Sequence, residues 1–272
     1  MHSHSYLLLL LLAEHNILFP INRKGCEDLR NIKLIIEYDG TNYSGWQRQN
    51  NAITIQEKIE IAIEKITGEE TKIIGSSRTD AGVHARGYTG NFYTSSIISA
   101  EKFIGAINSK LPLDIVILHC FEVPHEFHSR YDATGKIYSY SILNRIESVA
   151  VGRNYIYHHK RALDLVAMKL ATKYFMGTHD FSAFKNLGSS VKTSVRTITR
   201  LDIIKNGDLI EIYIAADGFL YNMVRIIVGS LIRVGEGKIK PNEIKDIIES
   251  KQRSNAGKSA PACGLCLEEI FY

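Results

Sequence analysis

The stretch from Ser76 to Ala85 holds the residue types best suited to chemistry in this sequence. Asp80 lies two residues after Arg78 and two residues before Gly82, within a run of small polar residues. Glycine lets the backbone turn sharply and lets a ligand come close, and a buried guanidinium favours the ionised form of a nearby carboxyl group. The pattern therefore predicts a reactive aspartate in a loop. The alternative from spacing alone is an aspartate that stabilises a turn beside a surface arginine.

Few other catalytic groups are evident in the sequence. It shows no metal-ligand cluster, no glycine-rich phosphate loop and no Ser-His-Asp order. His84 and His179 are isolated and are interpreted as core or surface histidines, while Cys263 and Cys266 have the C-x-x-C spacing without a second ligand pair and are expected to be free thiols. A single carboxylate with arginines and tyrosines suits a reaction in which the substrate supplies the electrophile and the carboxylate attacks or stabilises it.

The elements that must position Asp80 follow from hydrophobic periodicity. One helix is delimited by a Thr54/Glu57 capping box and by Gly68. Further helices are predicted near residues 101–109, 163–174, 220–234 and from 241 onward. Strands are predicted near 32–38, 72–74, 88–93, 115–122, 136–143, 196–203, 209–215 and 265–271, with an Asn206-Gly207 hairpin turn between two of them. Helices and hairpins mixed along the chain indicate an α+β fold with a largely antiparallel sheet.

The net charge and the apolar segments of the chain do not by themselves identify a binding partner. The 272 residues carry a formal net charge of +4, a mild excess that is compatible with RNA but does not require it. Residues 1–30 contain the apolar run Leu7–Leu12, which is too short to cross a bilayer and lacks the features of a signal peptide. We interpret residues 1–30 as an appendage and expect a soluble, cytoplasmic protein with no membrane association.

Six segments in order closely resemble the motifs of the tRNA pseudouridine synthase A family, the bacterial TruA type. The segment that resembles the catalytic motif contains Asp80. The matching segments cover most of the chain from residue 32 to 272: Tyr38–Gln49, Ser77–Ala85, Glu126–Thr134, Gly177–Phe184, Phe219–Gly229 and Ala260–Leu267.

The resemblance implies roles at matching positions. Asp80 is similar to the essential aspartate, and Arg78 to the residue that helps to extrude the target base and fills its place. Tyr138 resembles the tyrosine that stacks on the target uracil, with proton uptake as a second role, and Arg225 the arginine that pairs with the aspartate. Leu265, with Leu267 as the alternative, is similar to an apolar wall of the uracil pocket. Core packing for Tyr138 and a structural ion pair for Arg225 are the alternatives from the residues alone.

The sequence departs from the family pattern at two positions. Ser77 stands where the family usually has glycine before the arginine, so a positive φ there would strain it. Tyr88 stands where glutamine usually follows glycine. Neither departure removes a catalytic group.

The resemblance also implies a fold and an activity. It implies the pseudouridine synthase fold, with halves at residues 31–145 and 146–272 joined through one sheet around a central cleft. It implies conversion of uridine to pseudouridine in the tRNA anticodon stem-loop at positions 38–40, by a homodimer that needs no cofactor and no metal. Attack on the sugar, attack on the base and proton abstraction by Asp80 remain open.

Two other classes of protein are open alternatives. A non-catalytic RNA-binding module would not require Asp80. A retaining nucleoside or glycoside hydrolase would use two close carboxylates. Arg48, Arg78 and Arg130 are the candidate contacts to RNA at or near the site.

Overall fold

The computed structural model describes residues 29–186, 188 and 191–272. The apolar run Leu7–Leu12, and nearly all of the predicted appendage, lie outside the described residues. Leu29 and Arg30 are the exceptions, and Arg30 already forms part of the first strand.

The strands of the described residues form one ten-stranded sheet, which is antiparallel except at two strand pairs. Its members in chain order are β1 (Arg30–Tyr38), β2 (Ile74–Gly75), β3 (His84–Thr94), β4 (Ile115–Val123), β5 (Gly135–Asn144), β6 (Tyr157–His159), β7 (Gly177–Asp180), β8 (Val195–Asn206), β9 (Leu209–Ala216) and β10 (Leu265–Phe271). The order across the sheet is β4-β1-β3-β10-β5-β9-β8-β7, with β2 beside β3 and β6 beside β5. The predicted α+β class with a largely antiparallel sheet is confirmed.

Five α-helices accompany the sheet in the described part of the chain. They are α1 (Ile55–Thr67), α2 (Ala100–Asn108), α3 (Leu165–Phe175), α4 (Met223–Gly235) and α5 (Glu243–Ser250). Helix α2 lies against β4 and α1, and α3 lies against α4 and β8. None of these helices combines the length and the apolar character that a membrane span needs.

Local sequence signals explain where α1 begins and ends. The Thr54 side chain accepts a hydrogen bond from the Glu57 backbone N–H, and Gly68 ends the helix in the left-handed conformation with φ 75°. Both signals were predicted, because a threonine cap satisfies a free N–H and glycine adopts positive φ without steric cost.

Several predicted boundaries were wrong. The last helix begins at Glu243 rather than at Pro241, and β2 comprises Ile74–Gly75 rather than residues 72–74. The helix expected from Leu220 starts only at Met223, because Asn222 takes a left-handed conformation with φ 63° that breaks the helical path. The hairpin turn expected at Asn206-Gly207 lies one residue later, since Asn206 still pairs with Leu209. Strand β3 begins at His84, four residues earlier than expected, and the short strands β6 and β7 were missed.

The C-terminal strand brings the segments with predicted chemistry together. Strand β10 inserts between β3, where Cys266 pairs with His84, and β5, where Leu267 pairs with Tyr138. The loop that precedes β3 is thereby placed beside β5. One continuous apolar core includes fully buried residues from both sides of β10, such as Phe92 and Ile212.

Candidate active site

A cleft of about 1150 Å³ opens beside the loop that precedes β3. Its walls come from residues 72–83, from β5, from the segment 217–225 that leads into α4, and from the start of β10. Six cationic side chains and two aspartates line it: Lys72, Arg78, Arg130, Lys136, Arg196 and Arg225, with Asp80 and Asp217. The excess of positive charge suits a polyanionic ligand.

Asp80 lies in this cleft, in the loop between β2 and β3. A tight turn follows it, in which Val83 N–H donates to the Asp80 carbonyl at 3.2 Å and Gly82 has φ 75°. The Trp46 N–H donates to the Thr79 carbonyl at 3.1 Å and fixes the loop from the other side. The predicted role of Gly82 in the turn is confirmed.

Arg225 of α4 forms an ion pair with Asp80. Its Nη1 lies 2.9 Å from Asp80 Oδ2 and also donates to Asn222 Oδ1 at 2.8 Å, while its Nε donates to the Ala260 carbonyl at 2.7 Å. The pair is partly shielded, with side-chain exposures of 18% for Arg225 and 23% for Asp80. The guanidinium is therefore fixed by three acceptors and holds the carboxylate in one position.

Arg78 does not pair with Asp80, although it is only two residues away. Its side chain is exposed at the wall of the cleft, and no ion pair joins it to a carboxylate among the residues that the structure describes. Spacing alone left open a buried guanidinium at Arg78 or a surface arginine, and the structure shows the exposed side chain. The guanidinium beside Asp80 comes from Arg225 of α4, the residue that the resemblance implied. Arg78 is instead free to meet a ligand that enters the cleft.

Tyr138 and Leu265 form adjacent apolar walls of the cleft. Both are 5% exposed, and the Tyr138 ring meets Phe219 edge to face with centroids 5.2 Å apart. Burial raises the pKa of Tyr138 to about 12, and the negative charge of Asp80 acts in the same direction. The phenol is therefore protonated near neutral pH, which favours stacking over action as a base. Leu267 is fully buried and does not line the cleft, so Leu265 is the better candidate.

The two positions that depart from the family pattern contact each other. The Tyr88 hydroxyl donates to the Ser77 carbonyl at 2.5 Å and accepts from the Ser77 N–H at 3.3 Å. The Tyr88 ring is completely buried and stacks on Trp46 with centroids 3.8 Å apart. Ser77 does not have a positive φ, so the backbone strain that a positive φ would cause at a serine does not arise. Tyr88 and Trp46 together brace the loop that carries Arg78 and Asp80.

The remaining candidate residues lie partly in the cleft and partly in structural contacts. Arg48 lies outside the cleft, where it pairs with Glu60 at 2.9 Å, whereas Arg130 lines the cleft as expected. His84 is buried and accepts from the Gly40 N–H at 3.1 Å, as the interpretation of a core histidine requires. Cys263 and Cys266 are free thiols. No three His, Cys, Asp or Glu side chains form a metal-binding group within the described residues.

Sequence reasoning missed three residues at the site: Lys136, Arg196 and Asn222. Two of them had a usable signal. Lys136 precedes Tyr138 by two residues and so lies on the same face of β5. Asn222 precedes Arg225 by three residues, one helical turn away. Arg196 is brought to the cleft only by the pairing of β8 with β9 and β7.

Comparisons with known proteins identify a family. The family model described as tRNA pseudouridine synthase matches residues 34–132 and 171–272. The chain is 58% identical over 244 residues to tRNA pseudouridine synthase A 2 of Clostridium perfringens, and 54% identical over 244 residues to tRNA pseudouridine synthase A of Clostridium acetobutylicum. Each alignment covers 90% of this chain and 100% of the relative. The chain therefore belongs to the tRNA pseudouridine synthase family of isomerases.

Proposed function

We propose that this chain isomerises uridine to pseudouridine in the anticodon stem-loop of tRNA, at positions 38–40, with Asp80 as the essential carboxylate. The observation that carries the proposal is the Asp80–Arg225 pair, with its 2.9 Å contact, inside a cationic cleft of a family member. Isomerisation of a base requires that the base leave the stack, which costs a few kcal/mol. A cleft of this size and charge accommodates an extruded nucleotide.

Each residue has a distinct part in the proposed reaction. Arg78 takes the place of the extruded base in the RNA, and its exposed side chain at the wall of the cleft supports that role. The uracil stacks on Tyr138 and lies against Leu265. Arg225 holds the Asp80 carboxylate toward the nucleoside while the glycosidic bond breaks and a carbon–carbon bond forms. The apolar walls keep water away from the reacting sugar, because hydrolysis would release the base.

Product analysis tests this proposal directly. The full chain is incubated with transcribed tRNA, and the digested RNA and the supernatant are analysed by mass spectrometry after chemical labelling of pseudouridine. An isomerised uridine with no free uracil is expected. Free uracil would indicate a hydrolase, and RNA binding without any product would indicate a binding module; either result would overturn the proposal.

Mapping of pseudouridine tests the choice of uridine. In tRNA from a strain that lacks this protein, we expect pseudouridine to be missing at positions 38–40 and retained elsewhere. Loss at other positions with retention at 38–40 would show that the enzyme acts on a different part of tRNA.

We also propose that the enzyme works in the cytoplasm as a homodimer that holds one tRNA across both subunits. The resemblance of the six motifs to the family supports this arrangement. Light scattering coupled to gel filtration is expected to give about twice the monomer mass of 30.6 kDa. A monomer mass at micromolar concentration, in the presence of tRNA as well as in its absence, would contradict the dimer.

A further inference from the structure

Lys136 is a partly buried cation to which the proposed reaction gives no role. It lies on β5, two residues before Tyr138 and on the same face of the strand, and it lines the cleft. Two residues of a strand span about 7 Å. The ammonium group donates to the Ser76 carbonyl at 2.8 Å, and this is a neutral partner.

Two arginines line the same cleft, and both are close enough to Lys136 to repel its charge. Arg196, on β8, extends over the backbone of Gly218, where an added Cβ would lie 3.5 Å from the Arg196 Nε. Arg130 enters from the loop between β4 and β5. Across the described residues, no salt bridge joins Lys136, Arg130 or Arg196 to a carboxylate.

The gathering of these cations has an energetic cost. Burial, together with repulsion from Arg130 and Arg196, lowers the pKa of Lys136 to about 8. Asp217 also lines the cleft, but it accepts the Thr197 N–H at 3.1 Å and forms no ion pair with the three cations in the described structure. The Ser76 hydroxyl, 1% exposed, has no hydrogen-bond partner among the described residues. Cations gathered at this cost, next to an unused hydroxyl, are arranged for an anionic ligand.

We propose that Lys136, Arg130 and Arg196 form a subsite for a single backbone phosphate next to the target uridine. This inference rests on the proposed function, because it places the nucleoside between Asp80 and Tyr138. Lys136 and Tyr138 are two residues, or about 7 Å, apart on one face of β5. With the uracil on Tyr138 and the phosphate at Lys136, this separation is enough to hold the sugar between them. The subsite would hold the extruded nucleotide by its phosphate while the uracil is detached and turned, so that the sugar stays opposite Asp80.

The test uses RNA in which one phosphate is neutral. Stem-loop RNAs that contain the mapped target uridine are synthesised with a methylphosphonate at one of the phosphates around it, and each diastereomer is assayed. For the unaltered protein we expect kcat/KM to fall by about tenfold or more at one of these phosphates, the usual effect of losing a charge-assisted hydrogen bond. The RNA of the same sequence with only natural phosphodiesters is the control.

The variant Lys136→Gln tests whether this side chain and the sensitive phosphate interact, by comparing the effects of the two changes made singly and together. It should lose about tenfold in kcat/KM on the natural RNA, and the further loss on the sensitive methylphosphonate RNA should be smaller than the loss in the unaltered protein, because one of the three cations that share this phosphate is already gone. Arg130→Gln should show the same coupling and, as an exposed residue, keeps the protein folded. Lys65→Gln, an exposed cation outside the cleft, should leave the methylphosphonate effect unchanged. Thermal unfolding is recorded for every variant.

The outcomes separate the subsite from the function it rests on. No pseudouridine in the natural RNA would defeat the proposed function. Normal activity on natural RNA, with no phosphate position that is sensitive to methylphosphonate, would overturn the subsite alone. The subsite would also be overturned if, in folded Lys136→Gln and in folded Arg130→Gln, the methylphosphonate still caused its full loss of kcat/KM in addition to the loss caused by the substitution. The cations would then act elsewhere than on that phosphate.

Discussion

At the scale of single residues, the site depends on the contact between one carboxylate and one guanidinium. Arg225 is fixed by the Ala260 carbonyl and by Asn222 as well as by Asp80. It would therefore keep its place if the charge on Asp80 were lost. This arrangement makes the role of the carboxylate testable by a change that preserves its shape.

Asp80→Asn is expected to fold, to bind tRNA about as tightly as the parent protein, and to form no detectable pseudouridine. Asparagine fills the same space but carries no charge and is a poor nucleophile or base. Loss of one member of a partly buried pair also lowers stability, so thermal unfolding and tRNA binding must be measured on the sample used for the assay. Asp217→Asn, in the same cleft, is the matched control. Substantial pseudouridine formation by folded Asp80→Asn would refute the role of Asp80.

Arg78→Ala is expected to lower turnover more than binding, because the arginine acts when the base leaves the stack. A cost of a few kcal/mol for extrusion corresponds to a loss of about tenfold or more in rate. Single-turnover rates with saturating enzyme and filter-binding affinities separate the two effects. Lys72→Ala removes a charge from the same cleft and controls for lost attraction to RNA. A large fall in affinity with a normal single-turnover rate would count against this role.

At the scale of elements, the loop between β2 and β3 is held by aromatic residues beneath it. Tyr88 projects from β3 to the Ser77 backbone, Trp46 stacks on Tyr88, and the Tyr38 hydroxyl bonds the Thr79 hydroxyl at 2.8 Å. These residues are buried in the core, so the loop that carries Arg78 and Asp80 is anchored to the rigid sheet. Precise placement of this kind is what reactive groups require.

Tyr88→Phe is expected to lower kcat several-fold with little change in KM, because the stacked ring stays while the two bonds to Ser77 are lost. The free energy of unfolding should fall by about 1–3 kcal/mol, because two hydrogen bonds are lost and each has a usual net value of about 0.5–1.5 kcal/mol. Tyr93→Phe is a matched control on the same strand, since its hydroxyl also donates to a carbonyl, that of His125, at 2.8 Å. Equal effects of the two substitutions on kcat would show that Tyr88 does not position the loop.

At the scale of the whole molecule, a single sheet contains strands from both sides of the predicted boundary near residue 145, and the site draws residues from both sides. Strand β5 precedes that boundary, yet it pairs with β9 and β10, which follow it. The division into halves at 31–145 and 146–272 remains a prediction. The cleft itself depends on both sides, because Asp80 comes from one and Arg225 from the other.

Removal of residues 1–28 is expected to leave turnover and the midpoint of thermal unfolding unchanged. The family model begins at residue 34, and every residue placed at the site lies well beyond it. A chain that starts at Asn31 is a sharper comparison, because it also loses Arg30. The Arg30 guanidinium bonds Glu122 and the carbonyls of Ser96 and Ile98, the latter at 2.7 and 2.8 Å.

The shorter chain should therefore be less stable by about 1–2 kcal/mol, with normal turnover below its unfolding temperature. Calorimetry and a tRNA assay of both chains check the two expectations. A folded chain without residues 1–28 that has lost activity would show that the segment takes part in function.

The sequence by itself determined the fold class and most of the elements, because these depend on local patterns, and it marked Asp80 as the candidate carboxylate. Caps at Thr54 and Gly68 and alternation in β5 act over a few residues, and the resemblance of six ordered motifs identified the family. Only the tertiary structure showed that Arg78 is exposed in the cleft, that three acceptors fix Arg225 beside Asp80, and that Ser77 and Tyr88 contact each other. It also showed that Lys136, Arg130 and Arg196 share one cleft. These contacts join residues far apart in the chain, and they exist because β10 inserts between β3 and β5, a pairing that no local pattern specifies.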